Sequence, residues 1–201
     1  MYSVLLAGSI AAGKSTVARI LEQRGAHRID LDDVSRDVTR AGMPVLEDLA
    51  RVFGADVIDA QTGELRREVL AGRAFATEAM TQALEEVTHP AIFAELERRI
   101  ALEDEDAVVV VEVPLLDRAM SFAQAVDEVL CVVCPTAIRR ARAVERGMSA
   151  NDFDRRDARQ PSRDYLERHA QTIFVNDAGL ESLCEQIDAW WGELRKDECN
   201  G

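Results

Sequence analysis

An α/β fold built on a five-stranded parallel sheet is what the sequence predicts, and three observations predict it. Five short apolar runs alternate with helical patterns, the runs show little apolar/polar alternation, and no repeat, low-complexity tract or Pro/Gly/Ser-rich linker divides the 201 residues. Strands separated by helices run parallel, and near-continuous apolar strands belong to a sheet covered on both faces. The length is that of one generous domain, and 47% apolar residues can supply its core.

The expected strands are residues 2–7, 27–29, 107–112, 128–133 and 172–175. A helix over 15–24 sets Val17, Ile20 and Leu21 on one face, and Gly25 stands where a glycine stops a helix. Residues 44–104 read as a helical insertion, with helices at 44–53, 66–71, 77–88 and 90–102 broken before Pro90. Too long for an ordinary crossover, the insertion is expected to cap the ligand edge of the sheet. Residues 139–168 carry nine arginines against six acids, and read as a solvated charged face or as a lid. In the last helix Leu180, Leu183, Cys184, Ile187, Trp190, Trp191 and Leu194 form an amphipathic stripe for core packing, with either tryptophan available to a partner interface.

Charge and composition exclude several function classes. A net charge of −13 argues against a protein held to nucleic acid by phosphate contacts. No apolar run approaches the ~20 residues of a membrane span, and no basic segment or cleavage site before Lys14 marks a signal peptide. A cytoplasmic protein is expected, and four cysteines fit a compartment where thiols stay reduced. Cys131 and Cys134 form a C-x-x-C, but residues three apart on a strand face opposite ways, so buried thiols are expected rather than a metal or redox pair. Of 24 basic residues only Lys14 and Lys196 are lysine, which makes the place of each informative.

Lys14 falls in Gly8-Ser9-Ile10-Ala11-Ala12-Gly13-Lys14-Ser15-Thr16, a G-x-x-x-x-G-K-[ST] match with roughly five chances in ten thousand of arising by accident. Gly8 and Gly13 permit a loop whose successive N–H groups, through Ala11, Ala12 and Thr16, surround a polyphosphate such as ATP. The following helix adds its positive dipole end. Lys14 would neutralise the β and γ phosphates, and the Ser15 hydroxyl would ligate Mg²⁺. The fold is then a P-loop NTPase three-layer fold, with the helical insertion and the lid added to it. Neither lysine follows an asparagine, so the N-K-x-D guanine motif is absent, and a small kinase of the nucleoside-monophosphate-kinase type fits best. Ile29-Asp30-Leu31-Asp32-Asp33 ends the second strand, where the C-terminal strand ends of a parallel sheet face the ligand crevice. A carboxylate there either accepts the proton of an attacking hydroxyl or caps the next helix.

In this order the motifs resemble the dephospho-CoA kinases, which phosphorylate the ribose 3′-hydroxyl of dephospho-CoA in the last step of coenzyme A synthesis. After the P-loop come Ile29-Asp30-Leu31-Asp32, Phe53-Gly54-Ala55-Asp56-Val57-Ile58, Gly63-Glu64-Leu65-Arg66-Arg67, His89-Pro90, Glu112-Val113-Pro114-Leu115-Leu116, Arg146-Gly147-Met148-Ser149, Gln160 and Asn176. The resemblance implies Asp32 as catalytic base, and Arg142 and Arg146 as lid arginines over the transferring phosphoryl group. It places Asn176 with the ATP-binding residues, and Asp30, Asp32, His89 and the insertion with dephospho-CoA. For His89 a place at a helix boundary before Pro90 is the competing reading. Glu112 would order Mg²⁺ through water, or serve as a buried structural carboxylate. ATP and dephospho-CoA are the implied partners, with no nucleic acid or membrane, in a monomer or weak homo-oligomer. Ala7, Ser9 and Ala11 replace Thr, Gly and Gly of the common family loop, and Asp117-Arg118 replaces F-E after Leu116. A P-loop kinase of another nucleotide or small metabolite, or a non-catalytic ATP-binding module, are the alternatives.

Overall fold

The computed structural model describes residues 1–198, with side chains through Arg195, so Cys199 and the side chain of Lys196 lie outside the described residues. In chain order the elements are β1 (Tyr2–Gly8), α1 (Lys14–Gln23), β2 (His27–Asp30), α2 (Leu31–Val38), α3 (Val45–Phe53), a single 3-10 turn (Ala55–Val57), α4 (Arg67–Ala74), α5 (Glu78–Ile100), β3 (Val108–Glu112), α6 (Met120–Ala123), β4 (Glu128–Val133), α7 (Thr136–Glu145), α8 (Ala150–Asp157), α9 (Arg163–His169), β5 (Thr172–Val175) and α10 (Leu180–Glu198). They form two compact units: Met1–Asp30 with the chain from Glu103 onward, and Leu31–Leu102.

The first unit holds one sheet of order β2-β3-β1-β4-β5, every pair parallel. Its strands lie where the β-branched runs place them. β3 and β4 are buried along their whole length, which is why neither alternates. Helices cover the sheet through an apolar cluster joining Val4, Leu6, Val110, Leu130 and Val132 to Val17 and Leu21 of α1 and Leu183 and Ile187 of α10. Each such side chain stabilises by about 1.5–3 kcal/mol when fully buried. Trp190 belongs to the same packing and donates its indole N–H to Glu128 Oε2 at 3.1 Å. The strand order steps one way from β1 to β2 and the other way from β3 to β4. The crevice beyond the C-terminal ends of β1 and β3 is therefore the topological switch point, where ligands of such sheets bind.

Cys131 lies in β4 and Cys134 just beyond it; both are buried free thiols. Burial pushes the Cys131 thiol up to about 12 and raises Cys134 as well, so neither is a ready nucleophile.

The second unit has its own core of Leu46, Leu49, Phe53, Val57, Leu70 and Ala74, with Met80 and Leu84 packed against it. One expectation is corrected here. The helices expected at 77–88 and 90–102 are one helix, α5, with Pro90 inside it. Pro90 has no N–H for the Glu86 carbonyl, at a cost of about 3 kcal/mol in a helix interior. The helix continues because it is held on both sides of the proline: Thr81 and Thr88 are buried before it, Ile92 and Leu96 after it, while Pro90 itself is exposed. Thr77 caps its start by accepting from Met80 N–H. His89 consequently sits in mid-helix and not at a helix boundary.

Candidate active site

β1 ends at Gly8, whose place admits no side chain: a Cβ there would stand 2.7 Å from the Val132 carbonyl oxygen of β4. Gly13 takes φ +106°, and a Cβ on it would meet Asn176 Nδ2 at 2.1 Å. Both motif glycines are thus required by close packing as well as by backbone conformation. Ala11, at φ 58°, is the one non-glycine with positive φ among the described residues. α1 opens at Lys14 with Gly13 as its N-cap and no side-chain cap, which leaves its first amides to a ligand of negative charge. The loop walls a cavity of about 270 Å³ together with Glu112, Pro114, Arg146 and Gln160.

A row of charges of alternating sign starts at the cavity wall with Lys14 and Glu112. Lys14 Nζ donates to the Val113 carbonyl at 2.7 Å and lies 3.7 Å from Glu112 Oε1. Arg28 Nη2 reaches Glu112 Oε2 at 2.6 Å and Asp30 Oδ2 at 3.4 Å. Parallel register sets Asp30 beside Glu112, and Arg28, two residues back on β2, shares that face. Both oxygens of this buried carboxylate thus face a cation, Lys14 at Oε1 and Arg28 at Oε2, and the Arg28 contact lacks hydrogen-bond alignment.

The segment α7–α9 ties down the loop from the other side. Ile10 N–H donates to Gln160 Oε1 at 2.6 Å, and the Ile10 carbonyl accepts from Arg139 Nη1 at 3.4 Å. Arg139 is buried, pairs with Asp157 at 2.5 Å and donates to the Cys134 carbonyl at 3.0 Å. The two arginines that the resemblance offers for a lid are placed differently. Arg146 lines the cavity. Arg142 donates to Asn176 Oδ1 at 3.2 Å and approaches Cys134 Sγ at 3.5 Å, and Asn176 Nδ2 in turn donates to the Ala12 carbonyl at 2.8 Å. Arg142 and Asn176 therefore act on the loop through its backbone.

A cradle of backbone amides with one lysine, at the switch point of a five-stranded parallel sheet, agrees with the comparisons. The family model described as dephospho-CoA kinase matches residues 2–182. The chain belongs to the dephospho-CoA kinase family. It is 32% identical over 197 residues to the dephospho-CoA kinase of Aquifex aeolicus, covering 98% of this chain and 100% of that one. To the dephospho-CoA kinase of Corynebacterium jeikeium it is 38% identical over 197 residues, covering 96% and 100%. The crystal structure of TT1252 from Thermus thermophilus superposes with a TM-score of 0.80 at 28% identity, over 96% of this chain and 97% of that one. A shikimate kinase from Bacteroides thetaiotaomicron shares the fold, with a TM-score of 0.53 at 14% identity over 96% and 98%.

Of the remaining residues that the sequence offers as a dephospho-CoA kinase site, Ser15 and Thr16 open α1 at the cavity wall. Asp32 and Asp33 stand in the first turn of α2 in the helical unit, inside the helix and not before it. A carboxylate there complements the helix dipole without being its N-cap. His89 is half-buried on α5, and burial lowers its pKa from the ordinary 6.5 against the opposing charge of Glu85. Sequence reasoning missed Arg28 and Arg139, and gave Gln160 no role. The parallel register of an edge strand was the only available signal for Arg28.

Proposed function

We propose that this chain transfers the γ-phosphate of ATP to the ribose 3′-hydroxyl of dephospho-CoA. The observation that carries the reading is the cavity at the end of β1, where Lys14, Arg146 and the uncapped amides of α1 converge on a space suited to polyphosphate. Arg146 offers a guanidinium to the charge that develops on the transferring group. Asp32 accepts the proton of the 3′-hydroxyl as its oxygen bonds to the γ-phosphorus, and the bond from that phosphorus to the β,γ-bridging oxygen breaks to release ADP. Lys14 leaves the Val113 carbonyl for the β and γ phosphates. Asp30 and His89 help to place the acceptor.

The residues present fit Mg²⁺ carried in with ATP. The Ser15 hydroxyl is an oxygen donor at the cavity wall, and Glu112 is a buried carboxylate there whose Oε2, ion-paired with Arg28, has no directed hydrogen bond. A small set of protein oxygens suits an ion that keeps waters and phosphates as its other ligands. When bound, the ion supplies charge neutralisation on the phosphates; Ser15 would hold it directly and Glu112 through water. Every residue of this reading comes from one chain, so a monomer suffices. Among the described residues no helix is long and apolar enough to cross a membrane, and the reading places the enzyme in the cytoplasm with its substrates.

ADP release by the purified protein with ATP, Mg²⁺ and dephospho-CoA tests this directly. Release that requires dephospho-CoA is expected; a rate no faster than without acceptor overturns the reading. Asp32→Asn should lower kcat by about 10²–10⁴-fold with the KM for ATP little changed, whereas Lys14→Ala should damage both.

A further inference from the structure

From the cavity wall the row of charges continues along the C-terminal edge of the sheet, and one member of it, Arg28, has no part in the transfer reaction. Lys14 and Glu112 line the cavity, whereas Arg28 does not. Arg28 stands behind Glu112 instead, with Nη2 at 2.6 Å from Glu112 Oε2 and at 3.4 Å from Asp30 Oδ2. Asp30 and Glu112 are Cα partners on adjacent parallel strands, so the guanidinium bridges two like charges that the register sets side by side. The side chain of Glu112 is 9% exposed and that of Arg28 31%. The carboxylate is therefore buried at the nucleotide cavity, and its counter-charge comes from outside it.

Lys14 cannot serve Glu112 and a triphosphate at once. Its Nζ is held by the Val113 carbonyl at 2.7 Å and lies 3.7 Å from Glu112 Oε1, and it has to leave both to meet the β and γ phosphates. A buried carboxylate stripped of its cation is costly, and more so beside phosphates of the same sign in a site of low dielectric. Among the described residues Glu112 has two cations, Lys14 and Arg28. Arg28, anchored on Asp30 as well, stays behind when Lys14 turns to the phosphates. Without Arg28, Glu112 would hold Lys14 more tightly and repel the nucleotide.

We propose that Arg28 is a positioning residue for ATP binding, which balances the charge of Glu112 so that Lys14 can leave for the phosphates. The inference rests on ATP occupying the phosphate loop, and it has Arg28 act through Glu112 and not on the nucleotide.

ATP binding is measured without acceptor, by the anisotropy of a fluorescent ATP analogue and its displacement by ATP, in EDTA and again with Mg²⁺. In EDTA Arg28→Met should raise the Kd for ATP about tenfold, a moderate effect because solvent screens a partly exposed cation. Arg28→Lys, which keeps the charge, should stay within about threefold of wild type. With Mg²⁺ on the phosphates beside Glu112, the loss in Arg28→Met should shrink to about threefold or less. The deciding comparison removes the carboxylate: in a Glu112→Gln background Arg28→Met should change the Kd by less than about twofold. That recovery also excludes misfolding as the cause of the loss. An unchanged Kd in Arg28→Met, or an equal loss in Arg28→Lys, overturns the proposal. So does a tenfold loss that persists in the Glu112→Gln background, which would assign Arg28 to the fold or to the nucleotide itself. A wild type that binds no ATP overturns the reading of the phosphate loop, whereas wild-type binding with any of the other adverse results overturns the role of Arg28 alone.

Discussion

Ala11 holds a left-handed conformation, φ 58°, that disfavours any side chain by about 1–2 kcal/mol. The common family loop has glycine here, and the strain explains that preference. Ala11→Gly should stabilise the protein by about 0.5–1 kcal/mol, the relief of strain exceeding the added freedom of the unfolded chain. Chemical denaturation measures it, and a loss of stability would contradict the argument. Asn176 is the opposite case: buried, it is bonded to the Ala12 carbonyl and to Arg142. Asn176→Ala leaves those groups without their partner and should cost about 1–3 kcal/mol, with the KM for ATP rising because Gly13 packs on that amide. The loop was legible in the sequence because its chemistry is local, eight residues that carry their own meaning. Gln160 and Arg139 were not, because each grips Ile10 from 150 and 129 residues away through backbone atoms that no motif marks.

Helix α5 shows where local rules stop. Pro90 reads as a boundary, and the strands read correctly, for the same reason: packing decides. Apolar β-branched runs announce their own burial, whereas the residues that carry α5 through Pro90 are spread over 16 positions from Thr81 to Leu96. Pro90→Ala should therefore stabilise the protein by about 1–2 kcal/mol, the restored helix bond outweighing a more flexible unfolded chain. Thermal unfolding that moves downward instead would show that the helix has adapted fully to the proline. On the same helix Glu95 accepts from Arg98 and Arg99, which hold its carboxyl down from the ordinary 4.5 to about 2. A depressed carboxyl pKa stabilises the fold fully above 4.5, and that contribution disappears as pH falls from about 4.5 through 2. Glu95→Gln should accordingly be less stable than wild type at pH 7, with the difference closing by pH 2. A gap that persists at pH 2 would assign it to packing.

One hydrophobic cluster packs on the sheet and another lies among α3, α4 and α5, so ligand binding can add stability to either unit. The sequence announces an insertion at about residue 44, but the compact unit opens at Leu31 and takes in α2. A composition shift marks where helices begin and not which of them pack together, so that limit could not be read from sequence. The division predicts how the two substrates act on local unfolding, because a ligand slows opening only in the structure it binds. In amide hydrogen exchange ATP alone should protect β1, the loop of residues 8–16 and α1, with little change from α2 to α5. Dephospho-CoA alone should protect α2, which carries Asp32. Equal protection of both units by ATP alone would show that they open as one cooperative body. Protection by dephospho-CoA confined to the sheet unit would remove the acceptor from α2. The two single-ligand experiments thus separate the nucleotide site from the acceptor site before any turnover is measured.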